Sequence, residues 1–199
     1  MKRRHLTPRE ICAHCKLVAK EKRTAERSPW TVASILAAYT MLKCEGFKGQ
    51  KISRVLEYVN NLNEKWYAGE VDLEELRTTL EGYGKLPIEN VPATAADITK
   101  KKGSFEYYMD YIELDAQNTI NEVATRYVIF FFKALIDVYG YGSKRLKRVS
   151  DYFGSLLPDY YDDSKSLREW KAAILDEAGI LIEPPVDPLT QTTGSMMTS

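Results

Sequence analysis

Apolar positions recur at helical spacing over most of the chain. Between residues 29 and 44, Val32, Ile35, Leu36, Tyr39 and Leu42 fall three or four apart, the stripe of a helix laid on a core. Ala33, Ala37 and Ala38 in the same stretch leave room for a second helix to approach closely. Ser28-Pro29 opens this segment with a cap and a first-turn proline, and Gly46 closes it with a residue that accepts positive φ. From about Gln50 to Asn63, Ile52, Val55, Leu56, Val59 and Leu62 line one face of the next helix. Trp66–Gly69 reads as a turn. Asp72 as cap and Glu75 three residues on form a capping box that opens a helix over Leu73–Gly82. A similar signal, Thr7-Pro8 with Glu10, starts a largely charged helix over Pro8–Arg27.

The second half repeats this rhythm with more apolar content. Phe105, Tyr108, Ile112 and Leu114 predict one helix, and Ile120–Tyr139 another. Within the latter, Tyr127-Val128-Ile129-Phe130-Phe131-Phe132 is hydrophobic all round, which predicts a segment buried on most sides, the core of the whole protein. A strand competes there, because every residue in the run favours β structure. The alanine-rich helical counterpart in the first half decides for helix. A helix from Ser143 follows, then Gly154–Pro158 and an acidic, tyrosine-bearing loop, Asp159–Asp163. Ser166 and Glu169 form a second capping box before a helix over Leu167–Ala178, ended by Gly179, with Ile180–Ile182 packing after it.

The two halves are related. Glu45–Tyr58 (EGFKGQKISRVLEY) and Tyr139–Tyr152 (YGYGSKRLKRVSDY) align without a gap at an offset of 94 residues. Gly46 matches Gly140, Arg54 matches Arg148, Val55 matches Val149 and Tyr58 matches Tyr152. Asp72 and Glu75 fall on Ser166 and Glu169 at the same offset. The expected fold is therefore all-α, a tandem duplication of a three- to four-helix unit with helix-turn-helix-like hairpins. Its expected divisions are a first unit over 1–92, a linker over 93–103, a second unit over 104–183 and a disordered tail over 184–199.

Each hairpin fits the helix-turn-helix pattern of apolar positions around a turn glycine. The pattern falls on Leu135, Tyr139, Tyr141, Leu146 and Val149 with Gly140, and on Met41, Glu45, Phe47, Ile52 and Val55 with Gly46. Glu45 is the one misfit. Ile136 and Leu42 stand where that motif normally has a small residue, so a plain αα-hairpin stays open beside the DNA-reading form. In the DNA-reading form, Ser143, Lys144 and Lys147 face base edges while Arg145 and Arg148 meet phosphates or bases. In the first unit the equivalents are Gly49, Gln50 and Ser53 with Lys51 and Arg54, and Lys48 adds a further basic residue to the same stretch. The competing expectations are a structural turn with a solvated basic face, Arg54 and Arg148 pairing with carboxylates, and a protein interface.

Charge qualifies the picture. The chain has 28 Lys+Arg and 28 Asp+Glu, less basic than a dedicated nucleic-acid binder. The distribution is uneven, however: residues 1–58 hold 13 basic side chains against 5 acidic, so a neutral total can conceal a basic face. The 13 tyrosines against 6 phenylalanines favour half-buried positions and interfaces.

Other chemistry is sparse. Cys12, His14 and Cys15 have a CxxC spacing with no second ligand pair, which disfavours a structural zinc. The two histidines, His5 and His14, lie near the N-terminus, and there is no phosphate-binding loop, nucleophile elbow or zinc-protease motif. The expectation is a non-enzymatic protein without cofactors. Neither a signal peptide nor a membrane-length apolar run is visible, and three cysteines fit a reducing cytoplasm.

The segment GYGSKRLKRV, within Phe131 to about Leu157, resembles a stretch of small helical proteins in phages and prophages of Gram-positive bacteria, often written FGFGKKRL. That resemblance implies a phage accessory protein acting in the cytoplasm of a bacterial host. Such proteins are either DNA-binding regulators or inhibitors, anti-CRISPR proteins among them, that bind a host defence complex. The leading expectation is thus a nucleic-acid-binding accessory protein with DNA as partner. The alternative is an inhibitor acting by protein–protein interaction on a host complex, and a homo-oligomeric structural component is a third possibility.

Overall fold

The computed structural model describes residues 29–84, 105–162 and 164–182. All regular structure among these residues is helical: α1 (29–45), α2 (Gly49–Tyr67), α3 (Leu73–Glu81), α4 (Phe105–Tyr139), α5 (Ser143–Asp162) and α6 (Ser164–Ala178). The fold is all-α. The helix expected over Pro8–Arg27, the linker at 93–103, the tail at 184–199 and the Cys12/His14/Cys15 group lie outside the described residues.

α4 is the centre. Its six-residue run Tyr127–Phe132 is at most 2% exposed at every position, so no face of the helix is free there, and the run is helix rather than strand. Tyr127 packs edge-on against Trp30 of α1 at 4.7 Å between ring centroids. Phe131 meets Phe153 of α5 at 6.0 Å. The α2 stripe Ile52, Val55, Val59 and Leu62 is buried as its spacing requires. Ala33, Ala37 and Ala38 are at most 5% exposed, consistent with the close packing that small side chains permit.

Each third helix packs across the molecule. α3 lies on α4, while α6 contacts α5 and also α2. Tyr39 of α1 stacks on Trp170 of α6 at 5.6 Å, and Lys43 of α1 pairs with Glu177 of α6 at 2.5 Å. Leu80 and Ile174, equivalent at the 94-residue offset, are the buried anchors of α3 and α6, at 1% and 0% exposure. One apolar core thus draws residues from both halves of the chain.

Three sequence expectations change. The helix at Phe105–Leu114 and the one at Ile120–Tyr139 are a single helix of 35 residues. No glycine or proline interrupts the span, and Thr119 Oγ1 donates to the Asp115 carbonyl at 2.9 Å within the expected gap. The stretch Gly154–Asp162, which takes in most of the loop expected at Asp159–Asp163, is helical. α5 runs through it with Pro158 inside, where the ring removes one backbone donor and crowds the carbonyl four residues back, here that of Gly154. Ser166 does not cap its helix either, because α6 already begins at Ser164. In contrast, Asp72 caps α3, its Oδ1 accepting from the amide nitrogens of Glu74 at 2.9 Å and Glu75 at 3.5 Å.

Gly49, the first residue of α2, is held against the end of α6. A Cβ added there would stand 2.3 Å from the Ala178 carbonyl oxygen, a backbone atom that cannot swing aside. Gly49→Ala is therefore expected to lower stability by about 1–3 kcal/mol. Gly142→Ala, which meets nothing within 4 Å, should stay within about 0.5 kcal/mol of the parent. Urea midpoints of the two variants measured side by side check this. Among the described residues, no helix is long and apolar enough to cross a membrane.

Candidate nucleic-acid interface

The two glycine turns have the same backbone. Gly46 and Gly140 sit at φ +64° and +63°. The Phe47 amide donates to the Met41 carbonyl at 3.0 Å, and the Tyr141 amide to the Leu135 carbonyl at 3.3 Å. In both turns the residue after a left-handed glycine reaches back six residues, and the Gly140 amide itself donates to the Ile136 carbonyl at 2.8 Å, the bond of an αL helix ending. Each following helix starts alike, with Ile52 bonded to Lys48 and Leu146 to Gly142. The pattern positions Met41, Phe47, Ile52, Val55, Leu135, Tyr141, Leu146 and Val149 are all buried.

The turns face one another and exchange contacts at matching positions. Tyr139, the last residue of α4, reaches the opposite turn: its ring meets Phe47 at 5.0 Å and its hydroxyl donates to the Lys51 carbonyl at 3.0 Å. Glu45, at the equivalent end of α1, makes the mirror set of contacts. Its Oε2 accepts from Tyr141 Oη at 2.7 Å and from Arg145 at 3.1 Å, and Tyr141 and Arg145 are the 94-residue counterparts of Phe47 and Lys51. Arg148 adds Nε to Glu45 Oε1 at 3.0 Å and a second bond from its NH2 group. The misfit of the helix-turn-helix pattern is thus the residue that ties the two turns together. An apolar residue there could not satisfy Tyr141 and both arginines.

The electrostatics follow from this geometry. The Glu45 side chain is only 3% exposed. Burial alone would raise its carboxyl, but the bonds from Tyr141, Arg148 and Arg145 outweigh that and hold it below the usual range. A carboxylate with a depressed folded pKa contributes stability present above its unfolded value of about 4.3 and lost as pH falls through the folded value. Glu45→Gln should therefore lose less of its stability on acidification below about pH 4.3 than the parent does, as read from urea midpoints across that range. The effect is moderated by solvent screening of the half-exposed arginines. Burial, then the bond to Glu45, keeps the Tyr141 hydroxyl protonated well above its ordinary range. Burial, then the bond to Asp137 at 2.6 Å, pushes Tyr58 up to about 12. The Cys44 thiol is also raised, chiefly by burial, the opposite of what an activated nucleophile needs.

The residues expected to face nucleic acid divide into groups. Arg145 and Arg148 are paired with Glu45 rather than standing free, and Lys147 is paired with Asp151 at 2.7 Å. Ser143 and Gln50 are exposed and Ser53 is half-buried. Lys48, Lys51, Arg54 and Lys144 are exposed without an acidic partner among the described residues; Lys51 also lies 5.1 Å over the Phe47 ring. Neither α2 nor α5 has an acid in its first turn. Because the turns touch, the starts of the two helices form one surface. They are not two readers separated by the ~34 Å of a DNA turn. Among the described residues, no group of His, Cys, Asp and Glu could hold a metal ion. No family model, curated protein or solved structure matches this chain.

Proposed function

We propose that the chain is a non-enzymatic nucleic-acid-binding protein, a tandem duplication whose two turn regions act as one basic surface. The observation that carries this reading is the reciprocal contact of the turns. Tyr139, four residues before α5, bonds the Lys51 carbonyl of α2, and Arg145 and Arg148 of α5 bond the buried Glu45 side chain at the end of α1, so the basic starts of α2 and α5 are joined through the two turns. The positive end of the α5 dipole adds the same charge at the start of that helix. The duplication is supported by the matching glycine conformations, the matching backbone bonds after each glycine and the cross-turn contacts at the 94-residue offset. The likeness of GYGSKRLKRV to phage and prophage proteins supports a role in the cytoplasm of a bacterial host.

The test is a mobility shift on mixed-sequence duplex DNA at about 50 and 200 mM salt, the range over which phosphate-driven binding falls steeply. Binding that weakens with salt and depends on Lys51, Arg54 and Lys144 supports the reading; no binding at low salt removes it.

A phage-encoded inhibitor of a host complex, of anti-CRISPR or other anti-defence type, is the second reading. It is favoured by Leu175 and Leu181, exposed at 47% and 58% near the end of α6 beside the acids Asp176 and Glu177. Loss of host-protein capture on Leu175→Asp, with DNA binding absent, would favour it.

A further inference from the structure

Two guanidinium groups on one buried carboxylate leave an unbalanced charge. Arg145 uses one of its five N–H donors on Glu45, and Arg148 uses two. Most of both forks therefore remains available to a second anion, and the cluster keeps one net positive charge. The two side chains are 47% and 58% exposed while the Glu45 side chain is 3% exposed, so both guanidinium groups keep a solvent-facing part. Being three residues apart, they lie on the same face of α5. Neither fork is loose. The Arg145 guanidinium stacks on the Tyr141 ring at 3.8 Å, and that ring is itself 1% exposed and fixed in the core. Arg148 is gripped through both Nε and NH2.

We propose that Glu45 is a positioning residue that holds Arg145 and Arg148 as a two-guanidinium clamp for one phosphate group of a nucleic-acid backbone. The inference rests on the nucleic-acid reading and goes beyond it by assigning a site to a particular pair and a role to the acid under it. Planar guanidinium forks match phosphate oxygens in pairs. Fixing them before the ligand arrives removes part of the ordering cost of binding. Lys144, exposed on the same first turn, adds charge without geometry.

The experiment compares the full chain with Glu45→Gln and Arg148→Lys on a mixed-sequence duplex of about 20 base pairs, with affinity followed from about 50 to 200 mM salt. On charge alone, removing an acid from a basic surface tightens binding. The clamp requires the reverse: Glu45→Gln weakens affinity about tenfold, and the slope of log affinity against log salt falls by about one contact. Glu45→Gln binding as tightly as the parent, or more tightly, overturns the clamp whatever the second variant does. If Glu45→Gln proves unfolded by circular dichroism, Arg148→Lys decides. It keeps the charge but loses the fork, so a loss of about tenfold supports the clamp and unchanged affinity overturns it. A parent chain with no salt-dependent binding overturns the nucleic-acid reading itself, and the clamp with it. That result is distinct from a parent that binds and a Glu45→Gln variant that binds equally well.

Discussion

Phe131→Ala should destabilise the protein by about 3–5 kcal/mol, the range for truncating a fully buried aromatic ring. Phe131 has no exposed surface, and it joins α4 to α5 through Phe153 at 6.0 Å while packing beside Phe132 at 5.3 Å. The ring sits in a helix enclosed on all sides, so no neighbour can move in from solvent to fill the space, and the cavity cost adds to the lost transfer energy. For a chain of this length the change corresponds to a melting temperature about 6–20 °C lower. Leu175→Ala is the control. Its side chain is 47% exposed on α6, and its effect should remain within about 0.5 kcal/mol. Guanidinium unfolding of the two variants would check the contrast. Similar losses from both would mean that Tyr127–Phe132 is not the centre of the core.

The second large effect concerns binding. Replacing Lys51, Arg54 and Lys144 together by alanine should lower duplex DNA affinity on the order of 10²–10³-fold near 0.1 M salt. Each phosphate contact contributes a slope of about 0.9 against log salt, hence close to a factor of ten at that concentration. The three residues are exposed and carry no ion pair among the described residues, so the folded structure should survive their loss, and circular dichroism would show it. Lys147→Ala should do less, because Lys147 already has Asp151 as its partner. Arg145→Ala with Arg148→Ala is the less informative choice. Both arginines hold the end of α1 to α5 through Glu45, so a loss of binding there mixes recognition with the packing of the turns. Unaltered affinity in the triple variant would move any nucleic-acid contact off this surface.

What could be read in advance was mostly local. The spacing of Ile52, Val55, Val59 and Leu62 states which face of α2 is buried, because a helix repeats every 3.6 residues whatever it packs against. Gly46 and Gly140 state where the turns are, because positive φ is cheap only for glycine. The capping signals were less dependable. Asp72 caps α3, whereas Ser166 lies inside α6, and a serine within a helix looks the same in sequence as one at its start. Pro158 marked an apparent boundary that α5 continues through, since one missing amide can be outweighed by the packing of Phe153 and Leu156 on the same helix.

The candidate site was legible in its residues and not in their partners. The basic stretches Lys48–Arg54 and Lys144–Arg148 were evident from composition and spacing alone. That they adjoin, and that Glu45 lies between them, depends on contacts spanning 88 to 103 residues, which no local pattern encodes. The one signal was negative: a charged residue at a position whose counterpart, Tyr139, is aromatic.

By itself, then, the sequence determined the helical character of the chain, the buried faces of its amphipathic helices, the two glycine turns and the match at 94 residues, because each follows from backbone geometry and nearby side chains. Tertiary structure alone decided that α4 is one continuous helix at the centre, that α3 and α6 pack across the molecule, and that the two turns meet. It also decided which cations are held by carboxylates and which face solvent. Those outcomes depend on which apolar faces and which opposite charges come together through space, and distance along the chain carries no record of that.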